Sequence, residues 1–153
     1  MSELAEELLQ GHASETDIAG LLEDYLEDPT TDRKFNYAWA LVSTSSEAVS
    51  AATERRNVAE GIKLLSELLY EGPNVADYLY YIAVGKLRLG DLPESRHYCE
   101  LLIERGDKNR QAKALMRVIE SRLSRDGLLG MAMVSTVAAG IGMLGYALLK
   151  GKR

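Results

Sequence analysis

From Gly127 to Leu149 the chain runs 23 residues without a charge, GLLGMAMVSTVAAGIGMLGYALL, between Arg125 and Asp126 on one side and Lys150, Lys152 and Arg153 on the other. A helix rises about 1.5 Å per residue, so roughly 20 apolar residues cross a hydrocarbon core about 30 Å thick. In hydrocarbon every backbone N–H and C=O needs an internal partner, which leaves a helix as the form open to a single segment. A buried core helix is the alternative, but an uncharged apolar run of about 18 or more residues favours a span. The expectation is a transmembrane tail anchor over 127–149, a basic tail over 150–153, and the preceding residues in the cytosol. The start, MSELAEELLQG, has neither the basic nor the apolar stretch of a signal peptide. An anchor made last inserts after the chain leaves the ribosome. Lys150, Lys152 and Arg153 are the candidate membrane-targeting residues.

The 126 residues ahead of the run are enough for one domain with its own core. They contain one cysteine, Cys99, which cannot close an internal disulfide and fits a reducing compartment. His12 and His97 are the only histidines. His97 and Cys99 stand two apart on one helix and point to different sides. No metal-ligand set and no nucleophile–base pair can be assembled, so the sequence reads as no enzyme, with no metal and no cofactor. Cys99 reads as a small core residue. GIGMLG (140–145) matches a nucleotide-binding fingerprint in letters, but that motif needs a preceding strand and an exposed helix N-terminus. Within the run, Ala138 and Gly142 instead form a small-residue pair that would let two anchors associate as a homo-oligomer. The net charge of −5 hides an asymmetry: residues 1–32 carry ten acids and no Lys or Arg, while 104–125 carry seven Lys/Arg against three acids. Besides two solvated faces, this allows an arm that docks back on the domain or a basic patch facing anionic lipid. The overall charge argues against nucleic acid as a partner.

Everything before the run reads as helix, with no sustained strand alternation. Ser14 and Asp17 make a capping-box start, followed by Ile18, Leu21, Leu22, Tyr25 and Leu26 at helical spacing, and Pro29 ends that helix. A second helix is expected from about Asp32 to Ser43. The polar stretch Ser43–Asn57 reads as a loop with room for one short turn of helix. A third runs from about Val58 to Tyr70 and stops at Gly72-Pro73, and a fourth from about Val75 to Leu89. Asp91 caps a fifth that Gly106 ends, and a sixth covers about Asn109 to Ser124.

The third and fifth helices repeat. EGIKLLSELL (60–69) superposes on ESRHYCELLI (94–103) at an offset of 34, pairing Gly61 with Ser95, Leu65 with Cys99 and Leu68 with Leu102. About thirty-four residues is the tetratricopeptide period, one helix–turn–helix per repeat. Small residues belong at Gly61, Ser95 and Ala83, where the two helices of a repeat approach closely. Two repeats leave apolar edges open, so the first and sixth helices should cap them. The fold class expected is an all-α, tetratricopeptide-like bundle of six helices over 14–126, preceded by an acidic arm over 1–13 and followed by a transmembrane helix.

FNYAWALV (35–42), YYIAVGKLRLGDL (80–92), RQAKAL (110–115) and DGLLGMAM (126–133) resemble the mitochondrial fission 1 protein family, and the order of arm, two divergent repeats, capping helix and anchor is similar too. The resemblance covers about 14–153. The loop Ser43–Asn57 is longer than expected for that family, and the resemblance is not extended to residues 1–13. The resemblance implies a receptor on the mitochondrial outer membrane and the peroxisomal membrane. It also implies recruitment of a dynamin-related GTPase, directly or through adaptor proteins, for organelle division, with no enzymatic activity of its own.

In such a pair of repeats the first helices line a groove. Asp77, Tyr81, Gly85 and Arg88 fall at i, i+4, i+8 and i+11, and Tyr37, Leu41 and Thr44 follow a similar spacing. Tyr and Arg are favoured binding anchors, so these seven residues are the candidate partner groove, suited to a helical or extended segment. Trp39, Ala38, Ala83 and Ile82 read as core. The alternative is another tail-anchored tetratricopeptide receptor, for chaperone docking or protein import. Chaperone clamps grip a terminal carboxylate with several Lys and Asn side chains, and here Arg88 stands nearly alone.

Changing Lys150, Lys152 and Arg153 together to serine is expected to divert the chain from mitochondria to other membranes, as seen by fluorescence microscopy. Unchanged mitochondrial targeting would remove the basic tail from the address.

Overall fold

The computed structural model describes residues 3–106, 110–125 and 127. Nearly all of the uncharged run, together with Lys150, Lys152 and Arg153, lies outside the described residues. Among those described, no helix is long and apolar enough to cross a membrane. Seven helices follow one another: α1 (Glu3–Gln10), α2 (Glu15–Glu27), α3 (Thr31–Val42), α4 (Ala51–Glu71), α5 (Val75–Arg88), α6 (Leu92–Arg105) and α7 (110–125). No strand occurs among the described residues; one isolated bridge joins Ala13 to Thr44. Met1–Ile119 make one compact unit, to which all the contacts below belong, and Glu120–Arg153 a second.

The helix starts follow from their caps. Ser14 Oγ accepts from Asp17 N at 3.2 Å and Asp17 Oδ2 accepts from Ser14 N at 3.0 Å, the reciprocal box read from the sequence. Thr30, Ser50 and Asp91 cap α3, α4 and α6 in turn. Two boundaries differ from expectation. The segment 3–10 is helical, which makes seven helices rather than six, and α4 starts at Ala51 rather than Val58. The stretch AATERRN lacks an apolar stripe, and the first buried residue of α4 is Val58, just beyond it, so periodicity gives no signal there. The Ser50 hydroxyl accepting Thr53 N at 3.2 Å starts the helix regardless.

The repeats α3–α4 and α5–α6 pack in series, α4 against α5. Positions 34 apart play the same part. Leu65 and Cys99 are fully buried, as are Leu68 and Leu102. At the small-residue position, a Cβ on Gly61 would stand 2.8 Å from the Ala38 carbonyl oxygen and from Val42 Cγ2. Ser95, its counterpart, is buried and donates from Oγ to the Ala83 carbonyl at 2.7 Å. In both repeats the second helix thus lies directly on backbone of the first. Phe35 bridges the repeats, its ring centroid 5.5 Å from that of Tyr78 and 5.9 Å from that of Tyr81. α2 packs on α3, with Tyr25 stacked on Tyr37 at 6.2 Å.

One ion cluster fastens α3 to α4. Lys34 Nζ lies 2.8 Å from Glu67 and 3.0 Å from Glu71, with its side chain 10% exposed. Burial works to lower the Lys34 pKa, but the bonds to Glu67 and Glu71 outweigh it and raise the value above 10.5. The bond from Lys34 holds Glu67 below 4.5. The lysine's contribution to stability is therefore complete below 10.5 and is lost as pH rises through its folded value. That of Glu67 is present above 4.5 and is lost as pH falls. Both carboxylates are partly solvated, so the contribution is small.

Gly61→Ala should lower the melting temperature by several degrees, since overpacking at a closed contact costs about 1–3 kcal/mol. Ser95→Ala, which removes the bond from the hydroxyl to the Ala83 carbonyl, should cost about 1 kcal/mol. Thermal unfolding followed by circular dichroism checks both, and a Gly61→Ala chain that melts like the parent would contradict the contact.

Candidate functional site

A groove of about 320 Å³ opens where α3, α5 and α7 meet. Trp39, Val42 and Ser43 come from α3 and its end, Tyr80, Tyr81, Val84 and Arg88 from α5, and Gln111 and Ala114 from α7. The remaining wall is the arm: Glu7 and Leu8 of α1, then Gly11 and His12. Trp39 and Tyr81 are the half-buried aromatics, whereas Tyr80 is 8% exposed. Burial pushes the Tyr80 hydroxyl up to about 12, with a smaller push from neighbouring Tyr81, so it stays protonated and acts as a donor or acceptor only.

Arg88 is the floor's fixed point. Its side chain is 1% exposed. Nη1 donates to the Val42 carbonyl at 3.0 Å, and Nη2 to the Thr44 carbonyl at 2.5 Å and to Glu54 Oε1 at 2.7 Å. Nε is buried without an acceptor among the described residues. A guanidinium held this way joins the end of α5, the end of α3 and the first turn of α4.

The arm is tied to that same place. His12 N and Ala13 N both donate to the Ser43 carbonyl, at 2.7 and 2.8 Å. Ser45 N donates to the Ala13 carbonyl at 2.9 Å and Ser46 N to that of Gln10 at 2.8 Å. Gly11 has φ +67°, and a Cβ there would collide with Arg88 Nη1 and with the Ser43 and Thr44 carbonyls. Left-handed backbone without a side chain is what lets the chain turn on top of Arg88.

Of the residues expected in the groove, the structure brings Tyr81 and Arg88 to it. Leu41 and Thr44 are 3% and 0% exposed and lie inside. Gly85 is buried against Ile62 of α4. Tyr37 faces α2 through its stack on Tyr25. Asp77 sits in the first turn of α5, half-buried, away from the groove lining. The reason is helical drift: steps of four residues turn by about 40° each, so a stripe at i, i+4, i+8 walks off a groove that i, i+3, i+7 follows. Tyr81, Val84 and Arg88 have the latter spacing. Trp39, expected in the core, is instead half-buried and lines the groove, because the interior of α3 is filled by Ala38, Leu41 and Val42. The arm's share of the site was missed, although Ala5, Leu8 and Leu9 carry a helical spacing that could have shown it.

Among the described residues no His, Cys, Asp and Glu group could hold a metal. Cys99 is buried, its thiol pushed up to about 12 by burial and, less, by Glu100, which suits packing rather than nucleophilic attack.

Residues 76–128 match the family model of the Fis1 C-terminal tetratricopeptide repeat. A mitochondrial fission 1 protein from Debaryomyces hansenii is 33% identical over 154 residues, covering 97% of this chain and 94% of that relative. The one from Homo sapiens is 36% identical over 125 residues, covering 78% and 77%. Fis1 from Saccharomyces cerevisiae, at 22% identity, shares the fold with a TM-score of 0.69 over 83% of this chain and 95% of that one. Yeast Fis1 solved in complex with an Mdv1 fragment containing N-terminal extension and coiled-coil domains gives a TM-score of 0.66 over 80% and 94%, again at 22% identity. With identity sustained over nearly the whole length of a relative, the chain belongs to the mitochondrial fission 1 protein family.

Proposed function

We propose that this chain is a tail-anchored receptor whose groove between α3 and α5 holds an adaptor of a dynamin-related GTPase, and so supports division of mitochondria and peroxisomes. The fission adaptor role comes with the family, and the relative seen with a partner is yeast Fis1 with its Mdv1 fragment. The observation that carries the finer reading is the pair of half-buried aromatics, Trp39 and Tyr81, facing one cleft beside a fully fixed Arg88. Aromatic anchors on a rigid floor are what an amphipathic segment needs from its receptor. Because α1 forms one wall, a partner entering the groove meets the arm and either packs beside it or takes its place. The uncharged run over 127–149 supports an anchor in the mitochondrial outer membrane, with the domain in the cytosol.

The chaperone-docking alternative is disfavoured by chemistry. A carboxylate clamp needs cations free to bind it, and both Nη atoms of Arg88 are committed to Val42, Thr44 and Glu54. The same bonds make Arg88 a determinant of folding more than of contact.

A chain carrying Trp39→Ala and Tyr81→Ala should lose binding of the adaptor, each anchor being worth about 2 kcal/mol or roughly thirtyfold in affinity. It should still unfold cooperatively, and cells relying on it should show elongated mitochondria. Arg88→Ala should act the other way, removing about 3 kcal/mol of stability by stranding Glu54 and the carbonyls. Titration calorimetry with the adaptor fragment and thermal unfolding separate the two effects. A stable double variant that binds like the parent would move the partner site elsewhere.

A further inference from the structure

Two exposed helix faces share one spacing and carry complementary charge. On α2, Asp17, Gly20 and Asp24 stand at i, i+3 and i+7; on α7, Arg110, Lys113 and Arg117 do the same, and all six are exposed. Each residue turns the helix by about 100° and advances it by about 1.5 Å, so each trio fills an arc of about 60° over about 10 Å. Asp17 and Asp24 border a cleft of about 640 Å³ that is also lined by Leu21, Trp39 and Glu23. A Cβ at Gly20 would meet nothing within 4 Å, leaving room for another helix against α2. α2 buries none of its own residues, and Leu26 is 71% exposed. Arg110, Lys113 and Arg117 enter none of the ion pairs among the described residues.

We propose that the occupant of this cleft is α7 of a second copy, with Arg110 and Arg117 of one chain on Asp17 and Asp24 of the next. The outer members of both trios are seven residues apart, so both charge pairs form at a single register. The methylene stem of Lys113 then covers Leu21, and its ammonium reaches the Trp39 ring. The contact is heterologous: it leaves α7 free on one copy and α2 free on the other, so copies add in rows rather than closing as a pair. Exposed pairs are individually weak and are screened by salt, so the rows form where copies are crowded. Tyr81 and Arg88 lie outside this cleft, whereas Trp39 lines both it and the adaptor groove, so a second copy seated here covers one of the two anchors of the receptor reading.

Cysteine pairing in the full chain tests this in a neutral detergent under mild oxidation. Chains carrying Gly20→Cys are mixed with chains carrying Lys113→Cys; the native Cys99 is buried and does not compete. A disulfide-linked species of twice the mass is expected, at a yield about tenfold above that of Tyr70→Cys, a 93% exposed position off the trio, mixed with Lys113→Cys. Raising the salt to about 0.5 M should suppress the linked species. Asp24→Arg on the first chain should abolish it. One of Arg110→Glu or Arg117→Glu on the second chain should restore it, which also gives the direction of the two helices. No linked species, a yield matched by Tyr70→Cys, or indifference to the charge reversals would overturn the proposal. The first of these results is what a foreign partner on α2, or lipid headgroups on α7, would give.

Discussion

A charge taken out of water needs acceptors close at hand, and in this molecule that requirement falls on Arg88. Its guanidinium is closed off from solvent and receives three partners from two separate segments: the carbonyls of Val42 and Thr44 at the end of α3, and the carboxylate of Glu54 in α4. The two carbonyls are available because they stand at the end of α3, where the last helical oxygens have no partner within the helix. The carbonyl between them, that of Ser43, is taken by the arm through His12 N and Ala13 N. Three successive oxygens are thus divided between α5 and the arm. The place where α3 stops, the place where α4 begins and the place where the arm turns are all set around one side chain.

The repeats themselves are held by close backbone approach rather than by large side chains. Gly61 rests on the Ala38 carbonyl and Ser95 donates to that of Ala83, so one device is used twice with different chemistry. This is why the fold was legible in the sequence. A 34-residue offset aligned Gly61 with Ser95, Leu65 with Cys99 and Leu68 with Leu102, and each of these pairs is buried as a pair. Ser14 and Asp17 could be read as a cap from spacing alone because all the bonds involved are local. What escaped the reading were the eight residues of α1, whose apolar positions span only two turns, and the polar first turns of α4.

The site was less legible for a physical reason. A single helix shows which residues share a face, but it does not show which neighbour that face meets. Tyr81 and Arg88 were placed in the groove, while Gly85, on nearly the same stripe, turns to Ile62, and Tyr37 turns to Tyr25. Trp39 looked like core because it is large and apolar, yet Ala38, Leu41 and Val42 fill the interior and leave the indole at the edge. The arm's part in the groove depends on hydrogen bonds from residues 12 and 13 to residue 43, a pairing across the chain with no local signature.

The stretch from Glu47 to Val49 joins two points that are each held by bonds outside it. Upstream, the carbonyls of residues 42–44 are gripped by Arg88 and the arm; downstream, Ser50 starts α4 with its own hydroxyl. A loop between fixed ends transmits no strain to the elements it joins, and doubling its length costs only about 0.6 kcal/mol of closure entropy. The connection between the two helices of the first repeat is therefore free to change length over evolutionary time while the register of both repeats stays where it is. Novel side chains can be gained there, beside the groove, without the fold having to be rebuilt around them.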